Sequence, residues 1–357
     1  MMGRNRILTA IALAAALTLP GCSIEYYWQG LTGQVDLLSR ARPISEVIES
    51  TQDPALKDRL ARAQAIRTFA SRELALPDNR SYTNYADLGR PFVIWNVFAA
   101  PALSLTPLQW CFPVAGCVAY RGYFSEADAR AEAARLAAEG NDVHIGGVPA
   151  YSTLGYFDDP VLSTFVRYRE VELARLIFHE LAHQIVYVKD DTAFNESFAV
   201  TVEEEGVRRW LAEEAKRRDA PEAARLRADF ERGRRSRAEF RALIATARER
   251  LQAIYASKAS DDEKRAAKAA VFAEMRAENE RRRAASDGQT TFDRWFDAGA
   301  NNAGIAAYGL YADRVPQFKA ILEEEGGDLP RFYERVRMLA ALPKGDREVA
   351  LAKPPGP

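Results

Sequence analysis

Apolar residues recur three or four positions apart through QVDLLSRA, ISEVIES and DPALKDRLARAQAIRTFASREL, so residues 24 to 76 read as helices. Asp53 stands as N-cap of the last of them, with Pro54 in its first turn. The period then shortens. FVIWNVFAA (92 to 100) and CVAYRGYF (117 to 124) are β-branched and aromatic runs, a helix follows from about 126 to 139, and DVHIGGV (142 to 148) is a further strand, which together predict a small mixed sheet. VELARLIFHELAHQIVYV carries apolar residues on nearly every side, the mark of a buried helix, and residues 194 to 216 form another helix. From about 221 to 285 the positions Leu226, Phe230, Phe240, Ile244, Ala247, Leu251 and Ile254 recur in a sea of Arg and Glu. That pattern predicts two long antiparallel helices broken near SKASDD. NNAGIAAYGLYADRVPQFKAIL and LPRFYERVRMLAAL read as helices, and the end, ALAKPPGP, as loose chain.

The fold class is therefore α+β and mainly helical. The predicted units are a leader (1–22), a helical N-terminal region (23–90), a core with the sheet and the buried helix (91–216), a charged helical hairpin (217–287), a C-terminal helical part of that core (288–345) and a flexible tail (346–357).

Composition narrows the function. With 357 residues, 48% of them hydrophobic, the chain buries a substantial core. Lys and Arg number 49 against 50 Asp and Glu, so no net field draws the protein to nucleic acid. The leader MMGRNRILTAIALAAALTLPGC has a basic start, an apolar run from Ile7 to Leu19 too short to span a bilayer comfortably, then small residues and a cysteine. Leu19-Pro20-Gly21-Cys22 resembles the bacterial lipobox, which implies lipidation of Cys22 and, with Ser23 behind it, outer-membrane sorting. In an oxidising compartment the remaining cysteines, Cys111 and Cys117, are expected to form a disulfide.

The chemistry lies in ARLIFHELAHQIVYVKDDTAFNESFA, residues 174 to 199. On a helix, His179 and His183 sit one turn apart on one face and can offer ring nitrogens to a single zinc, while Glu180 lies beside that face as a base for water. A third ligand is sought among Asp190, Asp191, Glu196 and Glu203 to Glu205. Glu196 is preferred, because DDTAFNESFA breaks the first helix, turns, and starts a second whose first turn can face back. Glu203 falls near the same face as a partner for a ligand histidine or an alternative ligand. Val186 and Lys189 stand where a metzincin requires glycine and histidine, which excludes that class.

HELAH followed by FNESFA resembles the gluzincin arrangement, and the wider chain resembles a bacterial family of predicted aminopeptidases, many of them lipoproteins. The shared segments include RTFASRELALPDNRSYTNYADLGRP, WNVFAAPALSLTPLQWCFPVAGCVAYRGYF, VPAYSTLGYFDDPVLSTF and NNAGIAAYGLY. The resemblance implies a zincin-like core with one zinc held by His179, His183 and Glu196, and Glu180 as catalytic base. Thermolysin-like enzymes place an aspartate four residues after the ligand glutamate; here that residue is Val200, so the histidines must be oriented from elsewhere. By the same resemblance a substrate lies along an edge strand, for which DVHIGGVPAYSTLGYFDDP is in order, its glycines admitting a peptide backbone.

An oxyanion donor is sought among Tyr151, Tyr156, Tyr308 and Tyr311, and Asp158 or Asp159 is a candidate for binding a substrate amine. His144, alternating within a strand, reads as structural. The expected protein is thus a zinc-dependent envelope peptidase, an aminopeptidase by resemblance, with an endopeptidase of the same mechanism or a non-catalytic lipoprotein as alternatives. Its expected partners are a peptide substrate, the membrane through Cys22, and a protein at the charged hairpin; nucleic acid is not expected.

Overall fold

Asp53 opens the first long helix by accepting hydrogen bonds from the backbone of Ala55 and Leu56, with Pro54 at N1 where a missing N–H costs nothing. The structure, a computed structural model, describes residues 22–112, 116–284, 292–309 and 314–352. The leader as far as Gly21, Tyr311 and the tail beyond Ala352 lie outside these residues.

Helix α1 (Cys22–Ser39) leads through β1 (Arg42–Pro43) and α2 (Ile44–Ser50) into α3 (Pro54–Leu74). β1 pairs antiparallel with β2 (Asn84–Ala86), which pairs parallel with β8 (Val161–Leu162). A second sheet has β3 (Ile94–Pro101) at its centre, flanked antiparallel by β6 (Arg121–Tyr123) and by β7 (Asn141–Val148). The pleat sends Trp95, Val97 and Ala99 to one face, where Ala129 and Leu136 of α4 (Glu126–Ala138) cover them. Phe98 and Ala100 point to the other face, against Ala303 and Ala307.

The strand expected over 117 to 124 is divided. β5 (Gly116–Val118) folds back on β4 (Trp110–Phe112), setting Cys111 opposite Cys117 in the expected disulfide, while β6 joins the main sheet.

The histidine helix, α5 (Glu170–Ala182), packs between α3 and α6 (Thr192–Glu214). Leu173, Ala174, Ile177, Phe178, Leu181 and Ala182 are completely buried. Gly206 of α6 lets the two helices close: a Cβ there would stand 2.8 Å from both Phe178 and Leu74.

The charged segment forms the expected hairpin of α7 (Ala220–Ala256) and α8 (Asp261–Ala284). Phe240, Ile244, Ala247 and Leu251 meet Val271, Met275, Trp295, Phe296 and Ile305 in a cluster of their own. Phe230 instead joins the main core.

After the short α9 (Asp293–Asp297) and α10 (Asn302–Gly309), α11 (Val315–Glu324) and α12 (Leu329–Ala340) bring Phe318, Phe332 and Tyr333 onto Phe194 and Phe198 of α6. The tail departs from expectation. Residues to Ala352 form α13 (Lys344–Ala352), anchored by buried Leu351 and by Arg347, whose guanidinium bonds Asp191 at 2.8 Å. One core thus runs from Leu37 to Leu351 and contains the N-terminal region, the histidine helix and the C-terminal helices. No helix among the described residues is long and apolar enough to cross a membrane.

Candidate metal centre

His179 lies in the last turn of α5 and His183 is its C-cap, still in the right-handed helical conformation, so the one-turn spacing survives at the helix end. Their Nε2 atoms stand 3.2 Å apart. The chain then leaves the helix for nine residues and returns as α6.

Three side chains fix that return. Asp191 caps α6 through the N–H of Phe194 and holds Arg347, Asn195 clamps Val188 through both its N–H and its carbonyl, and Asp190 accepts the N–H of Cys117 at 2.6 Å. Asp190 does so at φ 61°, in the left-handed region that an aspartate enters more readily than most residues. The disulfide hairpin is thereby pinned to the loop between the two site helices.

Glu196 follows one turn into α6. Its carboxylate oxygens lie 3.3 Å from His179 Nε2 and 3.7 Å from His183 Nε2. The donor atoms of His179, His183 and Glu196 all fall within 4.8 Å of one another. Bonds of about 2.0–2.1 Å to a tetrahedral zinc require ligand atoms roughly 3.3 Å apart, so the trio fits such an ion without rearrangement.

The other carboxylates considered are committed elsewhere: Asp190 and Asp191 as above, Glu204 to Lys319, and Glu205 to Arg208 and Arg209. Glu203 is the partner of His179. Seven residues beyond Glu196 on the same face of α6, it accepts a hydrogen bond from His179 Nδ1 at 2.8 Å, and Arg175 reaches both its oxygens at 3.0 Å. Burial pushes the Glu203 carboxyl up, but Arg175 and His179 overcome it and hold the group down at about 2. A charged carboxylate only accepts, so the proton sits on His179 Nδ1 and Nε2 is left to face the trio.

The chain of charges continues outward, from Arg175 to Glu172 at 2.8 Å and from Glu172 to Arg237 of α7 at 3.0 Å. Among the described residues His183 has no such support: its Nδ1 is buried with no hydrogen-bond partner there, and burial lowers its pKa to about 4, which keeps the ring neutral.

Glu180 projects beside the trio. Burial pushes its carboxyl up to about 7, His179 pulls against this, and the charges of Glu196 and Asp159 add to the rise. It makes no hydrogen bond to another described residue, so the carboxylate is available to water. Such a group is half ionised near neutral pH, the condition a general base needs.

None of the expected tyrosines that is described is hydrogen-bonded to the trio or to Glu180. Tyr151 bonds Gln34, Tyr156 is 77% exposed, and Tyr308 packs its ring on Phe240 at 4.6 Å. Two others, not singled out from sequence, sit in the site's field. Tyr120, beside the disulfide hairpin and against Phe98, has its hydroxyl pKa raised by burial and then by Glu196, Tyr187 and Glu180. Buried Tyr82 has its hydroxyl pKa raised by burial, then by Glu180 and Asp159, and that hydroxyl has no hydrogen-bond partner among the described residues. The only sequence signal for Tyr120 was its place next to Cys117.

Asp158 pairs with Arg80 at 3.4 Å, whereas Asp159 is buried and accepts both the N–H and the hydroxyl of Thr153. β7 is an edge strand of its sheet among the described residues. One of its glycines serves internal packing: the ring of Phe92 occupies the space at Gly147, 2.3 Å from where a Cβ would stand. His144 is buried between Phe98 and Trp295, and burial lowers its pKa to about 4, consistent with a structural role.

No curated protein and no solved structure matches the chain. A family model does, over residues 25–351, which take in α1, the sheets, the trio, the hairpin and the C-terminal helices. With nearly its whole length so matched, the chain belongs to the family described as "Putative aminopeptidase".

Proposed function

We propose that the protein is a zinc-dependent peptidase of the bacterial cell envelope, held to the outer membrane by a lipid on Cys22 and facing the periplasm. The observation that carries the peptidase reading is the convergence of His179, His183 and Glu196 within 4.8 Å, with the unbonded carboxylate of Glu180 alongside. A zinc ion held there would supply Lewis acidity for activating water and polarising a peptide carbonyl.

The chain's own groups do the rest. Glu180 takes the proton of the attacking water and passes it to the leaving amine, for which a carboxyl near pH 7 is suited in both directions. Glu203 fixes the tautomer of His179, and Arg175 keeps Glu203 ionised. Tyr120 is the phenol we assign to the developing oxyanion. Aminopeptidase specificity follows from the family description.

Metal content and peptide cleavage, measured on wild type and Glu180→Gln, test this reading. Both proteins should hold one zinc per chain and only wild type should cleave. Zinc retained with no cleavage by either protein would refute an enzymatic role. Free and N-acetylated peptides then separate the modes, since an aminopeptidase fails on the blocked set.

A further inference from the structure

Helix α1 presents two opposite faces. At about 100° per residue, Tyr26, Gln29, Gly33 and Leu37 fall on one side. That side is docked on the body: Tyr26 stacks on Phe112 at 5.5 Å, Gln29 exchanges hydrogen bonds with the backbone of Gly122 and Phe124, Gly33 is roofed by the ring of Phe124, and Leu37 enters the core.

Trp28, Leu31 and Val35 fall on the other side, with Tyr27 at its margin. Trp28 is 65% exposed, Leu31 and Val35 are each 58% exposed, and Tyr27 is 49% exposed. A solvated helix face normally carries charge at such positions. From Cys22 to Ser39 there is no Lys or Arg at all, and of the two acids Asp36 is paired with Arg40. The outward face is therefore apolar along its length and begins with two aromatic residues.

Its occupant follows from where the helix starts. α1 begins at Cys22, the last residue of the leader and the predicted point of lipid attachment. Trp28 is six residues on, about 9 Å along the axis. Chain tethered at Cys22 therefore keeps Trp28 within about 10 Å and Val35 within about 20 Å of the bilayer surface, close enough for the face to settle where tryptophan and tyrosine are most at home at the headgroup level and Leu and Val just beneath it.

We infer that α1 lies flat on the membrane, with Trp28, Leu31 and Val35 seated in the lipid interface, and that this contact orients the body relative to the bilayer. The inference rests on membrane attachment at Cys22. With no cation on the face, the contact is apolar rather than electrostatic, so it needs no anionic lipid.

The test keeps the two readings separate. Lipid on Cys22 is read from the mass of the N-terminal peptide of the protein purified from membranes. The orientation is read on residues 22–357, whose Cys22 is the one thiol outside the Cys111–Cys117 disulfide. Cys22 is coupled to a maleimide phospholipid in phosphatidylcholine vesicles containing brominated acyl chains, so that tethering no longer depends on natural lipidation. The difference in fluorescence between this protein and Trp28→Phe isolates Trp28.

Trp28 should emit in the blue and be quenched by bromine, equally at low salt and at about 0.5 M salt. Leu31→Ser/Val35→Ser should lose more than half of that quenching while staying tethered, with unchanged melting. Water-like, unquenched Trp28 emission would overturn the inference, as would quenching indifferent to the double substitution or abolished by salt. Sedimentation of the uncoupled protein as a dimer that these substitutions dissociate would assign the face to a second copy instead. If the peptide mass shows no lipid, the lipoprotein reading fails and the orientation falls with it, whereas lipid on Cys22 with Trp28 unquenched overturns the orientation alone.

Discussion

Replacing Glu203 by glutamine removes one charge from a buried chain and should be felt first by the metal we propose at the trio, which Glu203 itself would not touch. Only 2% exposed, Glu203 takes the His179 Nδ1 proton on Oε2 and Arg175 on both oxygens. Glutamine offers one oxygen and one N–H₂. If the oxygen stays with His179, the amide donors face the Arg175 guanidinium; if it turns to Arg175, they face the imidazole N–H. Either way one pair of donors is opposed, and Arg175 is left with Glu172 as its sole carboxylate partner. Charge-assisted hydrogen bonds contribute about 1.5–3 kcal/mol each, and breaking a buried pair costs about 3–5 kcal/mol, so Glu203→Gln should destabilise the fold by several kcal/mol.

The effect on the metal is separate from that on stability. Loss of a carboxylate behind a ligand histidine typically weakens metal binding about 10–100-fold, because ring orientation and tautomer are no longer fixed. Zinc affinity is measured by competition with a chromophoric chelator at constant pH, alongside denaturant unfolding. Glu204→Gln is the control: its carboxylate turns to Lys319, and zinc affinity should stay within about twofold of wild type. Glu196→Gln should lose zinc most severely. Zinc affinity unchanged in Glu203→Gln would refute the supporting role, and zinc lost by Glu203→Gln but kept by Glu196→Gln would show that the ligand had been misassigned.

Two further substitutions probe the frame. Burial pushes the Asp159 carboxyl up to about 6 from an ordinary 3.8, so the fold favours its protonated form; that stability is complete below pH 3.8 and lost as pH rises through 6, about 3 kcal/mol in all. Asp159→Asn keeps an acceptor for Thr153 and should be the more stable protein at pH 8 by a margin that shrinks toward pH 4; a difference that does not vary with pH in denaturant titrations would contradict this. Gly206→Val places carbon against Phe178 and Leu74 and should destabilise by about 1–3 kcal/mol while weakening zinc binding, since Phe178 precedes His179; a melting temperature equal to wild type would refute the close packing of α5 on α6.

Periodicity made the helices legible, and with them the helical hairpin and the placing of Glu203 on the face of α6 that a ligand histidine could reach. It failed where a residue's role depended on a partner far along the chain. CVAYRGYF reads as one strand, yet it divides because Cys117 is drawn to Cys111 while Tyr123 pairs with Trp95. The C-terminal residues read as loose because Arg347 lies 156 positions from the Asp191 that anchors it. Tyr120 reads as a strand aromatic, and only the docking of Cys117 on Asp190 brings its hairpin to the site. α1 reads as an ordinary helix, because the same apolar spacing serves a buried face and an outward one, and the sequence does not say which side the body covers.

The choice of third ligand shows the same limit in its sharpest form. Spacing gave six carboxylates within reach of the histidines, and nothing in their order ranks them except the position of a turn. What ranks them is prior commitment. A carboxylate already turned to backbone N–H groups or cations elsewhere is the poorer candidate for a metal, and five of the six are so turned: Asp190 to Cys117, Asp191 to Phe194 and Arg347, Glu203 to Arg175 and the Nδ1 face of His179, Glu204 to Lys319, Glu205 to two arginines. Among the described residues Glu196 faces only the two Nε2 atoms. Burial pushes the Glu196 carboxyl up, the hydrogen bond and charge of the histidines beside it pull it back down, and the group stays charged; a bound divalent ion would meet that buried charge directly.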